Sequence, residues 1–229
     1  MKKTILFAAL ALATTGLFAQ KQTGGEKNLE VQFSPLGGSN VSISGLRFRM
    51  FNTEASALRL SFFVGGSSTE TVQQEADNDI DALELLDTDK EFSFSIRPGY
   101  EKHFEGTDRL SPYVGAELSF TSTSTTTEDQ EQYIDEDGDP QVQTTTTKGG
   151  TSSFGLNLLA GTDFYFADNI YLGAEIGFGF ASSKDKDNET TYENAPDGFE
   201  DTTSTVGNEK SNAWGPNYQA TLRLGWLFN

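Results

Sequence analysis

A short acidic run at residues 135–139 is the best candidate in the sequence for metal-ion chemistry. It reads Asp135-Glu136-Asp137-Gly138-Asp139, so carboxylates surround a glycine that suits a tight turn. Hard cations such as Ca²⁺ bind several carboxylate oxygens, which makes Asp135, Asp137 and Asp139 the predicted ligands. The EF-hand spacing, with glycine sixth and glutamate twelfth, is absent. The alternative is a solvated acidic turn that binds divalent cations weakly, and we expect no other cofactor.

His103 is the one histidine of the chain and its one candidate for imidazole chemistry. Phe104 and Glu105 follow it and do not complete a catalytic triad, so we expect a structural histidine at an interface and no enzymatic activity. No zinc-binding pattern or phosphate-binding loop is present. The net charge of −18 and the absence of a basic patch exclude nucleic acid as a partner, because the acidic segments repel phosphate.

Ten charged residues recur on the polar side of segments that alternate apolar and polar residues. Five are arginines and five are carboxylates, and no lysine shares these positions. The balance predicts ion pairs in a narrow enclosed space, where unpaired charge is penalised and the arginine fork binds two carboxylate oxygens. Loss of Arg97 should therefore destabilise the fold more than loss of Lys186. The predicted lumen charge network comprises Glu30, Arg47, Arg49, Arg59, Arg97, Glu101, Glu117, Asp163, Glu175 and Arg223.

The segments that carry these residues have the two-residue period of β-strands. The pattern is strongest in 154–166, 170–180 and 218–228, and weaker in 29–36, 41–51, 57–65, 91–104 and 110–120. An even count of eight predicts an all-β fold, an antiparallel barrel whose glycine-bearing polar face lines a narrow lumen. The alternation of apolar and polar residues shifts by one position between Ile43 and Leu46, which predicts a β-bulge near Ser44-Gly45.

The connections fall into two classes. Asn52–Ser56, Glu105–Arg109 and Ala167–Asn169 are predicted as short turns, whereas 67–90, 125–148 and 184–211 are long and polar. These three long segments hold most of the acidic residues. The threonine-rich runs 121–127 and 144–147 are interpreted as strand extensions above the membrane, because threonine favours strands. Short turns on one side and long acidic outer loops on the other are typical of a transmembrane barrel, with the short turns in the periplasm.

The N-terminus has the features of a secretory signal peptide. Lys2 and Lys3 precede the apolar run 5–12, and Leu17-Phe18-Ala19 is an acceptable cleavage site. An alternative site follows Ala11-Leu12-Ala13. We therefore expect a signal peptide at 1–19, a short periplasmic segment at 20–28 and the barrel at 29–229. The chain has no cysteine, so disulfides cannot stabilise the exported protein.

The eight strands, the exported N-terminus and the final alternating strand together resemble the OmpA/OmpX-type outer-membrane β-barrels. This class is also described as porin-family or outer-membrane β-barrel-domain proteins. The final strand reads Ala220-Thr221-Leu222-Arg223-Leu224-Gly225-Trp226-Leu227-Phe228, followed by Asn229. The resemblance implies the bacterial outer membrane as location, its lipid as surroundings, and the barrel-assembly machinery as a partner that binds a terminal aromatic.

Two functional hypotheses from different classes remain open. The first is a non-enzymatic barrel with a structural or surface-interaction role toward an unknown ligand. The second is a narrow pore for small solutes. They differ in whether the lumen charges close into ion pairs or leave a continuous water path. Eight-stranded barrels have interiors that side chains fill, which favours the first hypothesis.

Overall fold

The chain folds into antiparallel β-strands. The structure is a computed structural model that describes residues 21–33, 43–74, 82–196, 200–204 and 209–228. The predicted signal peptide and the connection Gly37–Asn40 lie outside these residues. In the described ranges the strands are β1 (Lys27–Phe33), β2 (Ile43–Thr53), β3 (Ser56–Gln74), β4 (Leu85–His103), β5 (Leu110–Ile134), β6 (Pro140–Ala167), β7 (Ile170–Asp185), β8 (Asn188–Glu193), β9 (Thr202–Ser204) and β10 (Lys210–Phe228). No helix among the described residues could cross a membrane.

Eight of these strands close into a ring. Each of β1 to β7 pairs with its neighbour in sequence, and β10 pairs with both β7 and β1. The ring is complete because β5 also pairs with β6 over the whole length of their hairpin. Strands β8 and β9 lie outside the ring and extend the sheet from β6. The predicted all-β fold with eight barrel strands is thus confirmed.

Burial in this barrel is inverted relative to a water-soluble domain. Large apolar side chains point outward and are exposed, as Leu158 (59%) and Ile176 (64%) illustrate. Charged side chains point inward, and Arg49, Glu101 and Arg223 are completely buried. Such an exterior is stable only in an apolar solvent, and closure of the ring leaves the barrel wall without a sheet edge facing that solvent.

The outer strands are longer than the sequence predicted. β5 continues fourteen residues past Phe120 and meets β6 at a turn of Asp135–Asp139, so residues 125–148 form a paired hairpin rather than a long loop. β3 and β4 likewise cover much of 67–90, and β8 and β9 lie within 184–211. The prediction of long loops was therefore wrong for much of these segments, whereas the predicted strand extensions at 121–127 and 144–147 are confirmed. Threonine is a strong strand former, and each extension has an antiparallel partner.

The opposite end of the barrel has tight connections, as predicted. The turn between β6 and β7 places Asn169 at φ +63°, a left-handed conformation that asparagine tolerates. The predicted bulge is also present. Gln32 pairs with Gly45 and Phe33 pairs with Ile43, which leaves Ser44 as the extra residue in β2.

Candidate functional site

All eight barrel strands contribute charged residues to the lumen. Glu30 lies on β1, Arg47 and Arg49 on β2, Arg59 on β3, Arg97 and Glu101 on β4, Glu117 on β5, Asp163 on β6, Glu175 on β7 and Arg223 on β10. Nine of these ten predicted residues are buried, and the structure brings them together in the half of the lumen nearest the short turns. Arg97 differs from the other nine.

Arg49 lies at the centre of this network. Its guanidinium is 2.8 Å from a carboxylate oxygen of each of Glu30, Glu101 and Asp163. These acids come from three strands on different sides of the ring. The guanidinium also donates to the Tyr171 hydroxyl. Because Arg49 and its three acids are fully buried, no water competes for these contacts.

The other buried arginines link the remaining acids into the same network. Arg223 contacts Glu30 at 3.0 Å and Asp163 at 2.8 Å. Arg47 contacts Glu30 at 3.3 Å and Glu175 at 3.0 Å. Each guanidinium therefore bridges acids on separate strands.

Arg59 completes the network with three carboxylates. It contacts Glu175 at 2.8 Å, Glu101 at 2.9 Å and Glu117 at 3.0 Å. Together the four buried arginines tie the ring together across its interior, as the planar fork of arginine allows.

Arg97 lies at the outer edge of the network instead of within it. Its side chain is 27% exposed, and its guanidinium is 3.9 Å from Glu117, beyond hydrogen-bond distance. It stacks on the Phe63 ring at 4.3 Å, and its Nε donates to Ser95 Oγ at 3.2 Å. Arg97 thus lies in the lumen within ion-pair distance of Glu117, but it makes no hydrogen-bonded pair, because the closest contacts of the acids are with the four deeper arginines.

Three tyrosines fill the space between the charges, and the predicted lumen charge network did not include them. Tyr113 donates to Glu175 at 2.5 Å, Tyr171 donates to Glu30, and Tyr165 is completely buried. Lumen glycines make room for these rings, since a β-carbon on Gly225 would lie 2.0 Å from the Tyr171 ring. The signal that could have revealed them is that each tyrosine falls on the same side of its strand as the arginines and glycines.

His103 lies inside the lumen near the short turns, not at an interface. It lies two residues from Glu101 and therefore on the same side of β4, and its Nε2 is 3.2 Å from the Glu101 carboxylate. Its Nδ1 is 2.8 Å from Ser111 Oγ. The predicted interface position is therefore wrong. The three side chains stand in the order of a serine nucleophile, a base and an acid, but Ser111 is only 1% exposed.

Gln22, from the segment that precedes β1, covers this end of the lumen. Its amide nitrogen donates to Ser111 Oγ at 2.7 Å and to the Glu54 carbonyl at 3.1 Å. Its amide oxygen accepts from the Tyr165 hydroxyl at 2.9 Å. The predicted periplasmic segment 20–28 thus contributes a side chain that bridges separate strands across the mouth, and no strand pattern in the sequence pointed to it.

The acidic run 135–139 forms the tip of the β5–β6 hairpin. Asp135 Oδ1 accepts from the backbone N–H of Asp139 at 2.9 Å and of Asp137 at 3.1 Å, and Gly138 adopts φ +91°. The Asp139 N–H bond holds the pKa of Asp135 below its usual value. Asp135 thus acts as a turn cap. In the described part of the chain no three His, Cys, Asp or Glu side chains are arranged to hold a metal ion, so the calcium site stays a prediction.

Acidic residues also share one face of the outer β4–β5 extension. Burial raises the pKa of Asp129, and repulsion from Asp87, Asp89 and Glu131 adds to the shift. Lys90 makes an exposed ion pair with Glu128 at 2.8 Å on the opposite face. The outer sheet is therefore an anionic surface on which one sign of charge accumulates.

A closed ring of strands, an apolar exterior and a charged lumen define an OmpA-type outer-membrane β-barrel. Residues 39–185 match the family described as "Putative OmpA-OmpF-like porin family". This match spans more than half of the chain, and the chain belongs to the OmpA-OmpF-like porin family. The resemblance seen in the sequence is thereby confirmed.

Two further comparisons concern curated proteins and solved structures. No curated protein matches the chain. Among solved structures it is similar to the crystal structure of the N-terminal β-barrel domain of Pseudomonas aeruginosa OprF, with 15% identity and a TM-score of 0.35. That comparison covers 90% of this chain and 100% of the OprF domain.

Proposed function

We propose that this protein is a non-enzymatic integral barrel of the bacterial outer membrane, in which a closed barrel anchors an anionic sheet that interacts with partners outside the cell. One observation carries the proposal. The four buried arginines and their five acids cross-link every barrel strand, and they leave Arg49, Glu101, Asp163 and Arg223 with no exposed surface. An interior filled in this way supports anchoring rather than transport.

The alternative of a narrow pore requires a continuous water path through this network. An ion that passes Arg49 must separate it from three carboxylates at 2.8 Å, which leaves buried charge unpaired. Breaking one buried pair typically costs about 3–5 kcal/mol. Several pairs lie at the same level of the barrel, so conduction would need many of them to open together.

A hydrolase that uses Ser111, His103 and Glu101 is disfavoured by two contacts. Gln22 covers Ser111, so a substrate would first have to displace that side chain. Glu101 already pairs with Arg49 and Arg59, and a carboxylate shared by two guanidiniums stabilises an imidazolium less well. Burial and these pairings support a structural role for His103.

The proposed partners follow from the surfaces. The outward apolar side chains fit membrane lipid, and the terminal strand β10 with Phe228 fits recognition by the barrel-assembly machinery. The partner of the outer sheet is unknown. Since that sheet is anionic, a cationic surface or one reached through bridging divalent cations fits best, and nucleic acid does not.

Recording in planar lipid bilayers tests the closed barrel. The wild-type protein should give no discrete current steps. The double variant Arg49→Ala/Glu101→Ala removes one charge of each sign and opens space within the buried charge network, so it should conduct. It also serves as the control for insertion. Discrete currents from the wild-type protein, equal to those of the double variant, would overturn the proposal in favour of a pore.

A further inference from the structure

The lumen contains a second polar region, on the outer side of the charge network. A cavity of about 280 Å³ is lined by Phe63, Val64, Gly65, Ser93, Ser95, Arg97 and Thr121. Arg97 supplies the one charged side chain of this lining. The cavity is separate from the network itself, because none of the four deeper arginines lines it.

Two groups in this cavity keep hydrogen-bond donors that the protein does not use, namely Ser95 and Arg97. Ser95 Oγ accepts from Arg97 Nε at 3.2 Å and from Thr121 Oγ1 at 2.9 Å. Both lone pairs of Ser95 are then occupied, and its own O–H is left as a donor. The terminal nitrogens of Arg97 make no hydrogen bond within the described residues, since the nearest carboxylate, Glu117, is 3.9 Å away.

The guanidinium of Arg97 is held in place without using these donors. Its Cζ lies 4.3 Å from the centre of the Phe63 ring, a cation–π contact that takes up none of the terminal N–H groups in a hydrogen bond. The N–H bonds lie in the plane of the guanidinium and stay available to a ligand. A planar fork of parallel donors matches the two oxygens of a carboxylate or phosphate.

The surrounding charges permit an anion at this position. Glu117 is 3.0 Å from Arg59, which compensates its charge. Glu101, four residues from Arg97 on the same face of β4, is paired with Arg49 and Arg59. Toward the outer mouth the nearest acid on that face is Glu91, six residues from Arg97 and therefore roughly 20 Å along the strand. This exceeds the Debye length of about 8 Å in physiological salt, so the acidic sheet repels an anion at Arg97 only weakly.

We propose that Arg97 and Ser95 form a binding subsite for a small soluble oxyanion, a carboxylate or a phosphate, that enters from the outer mouth of the barrel. Arg97 binds two of its oxygens through its terminal nitrogens. The Ser95 hydroxyl donates to the same group, and Thr121 holds Ser95 in place. The subsite is independent of conduction, because the closed network lies beneath it.

The test uses the purified full-length mature protein in a nonionic detergent without lipid. Inorganic phosphate and acetate are titrated while the side-chain Nε–Hε NMR signal of Arg97 is followed, with calorimetry as a second readout. Saturable binding at one site is expected. Arg97→Gln should weaken it at least about tenfold, because charge-assisted hydrogen bonds are lost. Lys90→Gln removes the same charge from the outer sheet and should leave binding unchanged.

Two further variants keep the test decisive. Arg97→Lys keeps the charge but loses the fork, and should bind more weakly than wild type. Ser95→Ala should weaken binding several-fold while the protein stays folded. Unsaturable binding, or equal losses in Arg97→Gln and Lys90→Gln, would overturn the proposal. So would an Arg97 signal that responds only to phosphatidylglycerol in a nanodisc, because the anion would then be a lipid headgroup.

Discussion

Removal of Arg49 should destabilise the barrel more than removal of any exposed charge. The variant Arg49→Met keeps most of the side-chain volume and deletes the guanidinium. Glu30, Glu101 and Asp163 would each lose a contact of 2.8 Å in a section of the lumen that water does not reach. Loss of one partner of a buried pair typically costs about 3–5 kcal/mol, and three acids share this partner.

The remaining arginines set the limit of this effect. Glu30 and Asp163 still contact Arg223, and Glu101 still contacts Arg59, so no acid loses its last cation. We therefore expect a loss of about 3–5 kcal/mol rather than a multiple of it. Urea titration of the barrel refolded in detergent, followed by tryptophan fluorescence and gel mobility, measures the free energy of unfolding.

Lys90→Ala is the matched control, since it deletes a cation from an exposed pair worth about 0–1 kcal/mol. Arg97→Ala should resemble this control more than Arg49→Met, because the Glu117 carboxylate is 3.9 Å from Arg97, beyond hydrogen-bond distance. The double variant Arg49→Met/Glu101→Gln should recover part of the loss, as expected for residues in contact. If Arg49→Met falls within about 1 kcal/mol of Lys90→Ala, the claim of a water-excluded network is refuted.

Three further predictions concern the two ends of the barrel. Replacement of 124–150 by Asn-Gly joins Thr123 to Thr151, which are cross-strand partners. The shortened barrel should still fold and should migrate in the gel as a folded barrel of its size. Failure to fold would show that the extension is part of the folding unit. Gln22→Ala deletes hydrogen bonds across the inner mouth and should cost about 1–3 kcal/mol in the urea titration, whereas an unchanged midpoint would show that the segment does not close the mouth. Asp129 should titrate above its usual pKa in carboxyl NMR. Because its folded pKa is raised, its ionised form is destabilising and the outer sheet should gain stability as pH falls through that pKa; a titration at or below the usual value would contradict this.

The sequence revealed which residues face the lumen but not which of them meet. Alternation alone assigns Arg49 and Glu101 to the same side of their strands, because the period of a strand is two. The contact between Arg49 and Asp163 instead joins β2 to β6 across the interior. It depends on the register of every strand pair between them, which no local pattern encodes.

Beyond the membrane, strand extensions were predictable only in the threonine-rich runs 121–127 and 144–147. On β5 the apolar alternation ends at Phe120, yet the strand continues to Ile134. Beyond the apolar belt both faces are polar, so the two-residue signal disappears even though pairing persists. Gln22 was missed for a related reason. It precedes the first alternating segment, and its role depends on Ser111 and Tyr165, which the fold alone brings within its reach.

The outer sheet must be stable without a hydrophobic core, and its composition reflects this requirement. Ladder hydrogen bonds and the strand preference of threonine hold it together, as in the pairing of Thr127 with Thr147 and of Thr190 with Thr147. Among the described residues β9 is the last strand of this sheet, and edge strands invite association with other chains. Like charge opposes such association, so the same carboxylates that raise the pKa of Asp129 also disfavour contact between copies of this protein. A partner that binds this sheet must therefore supply positive charge.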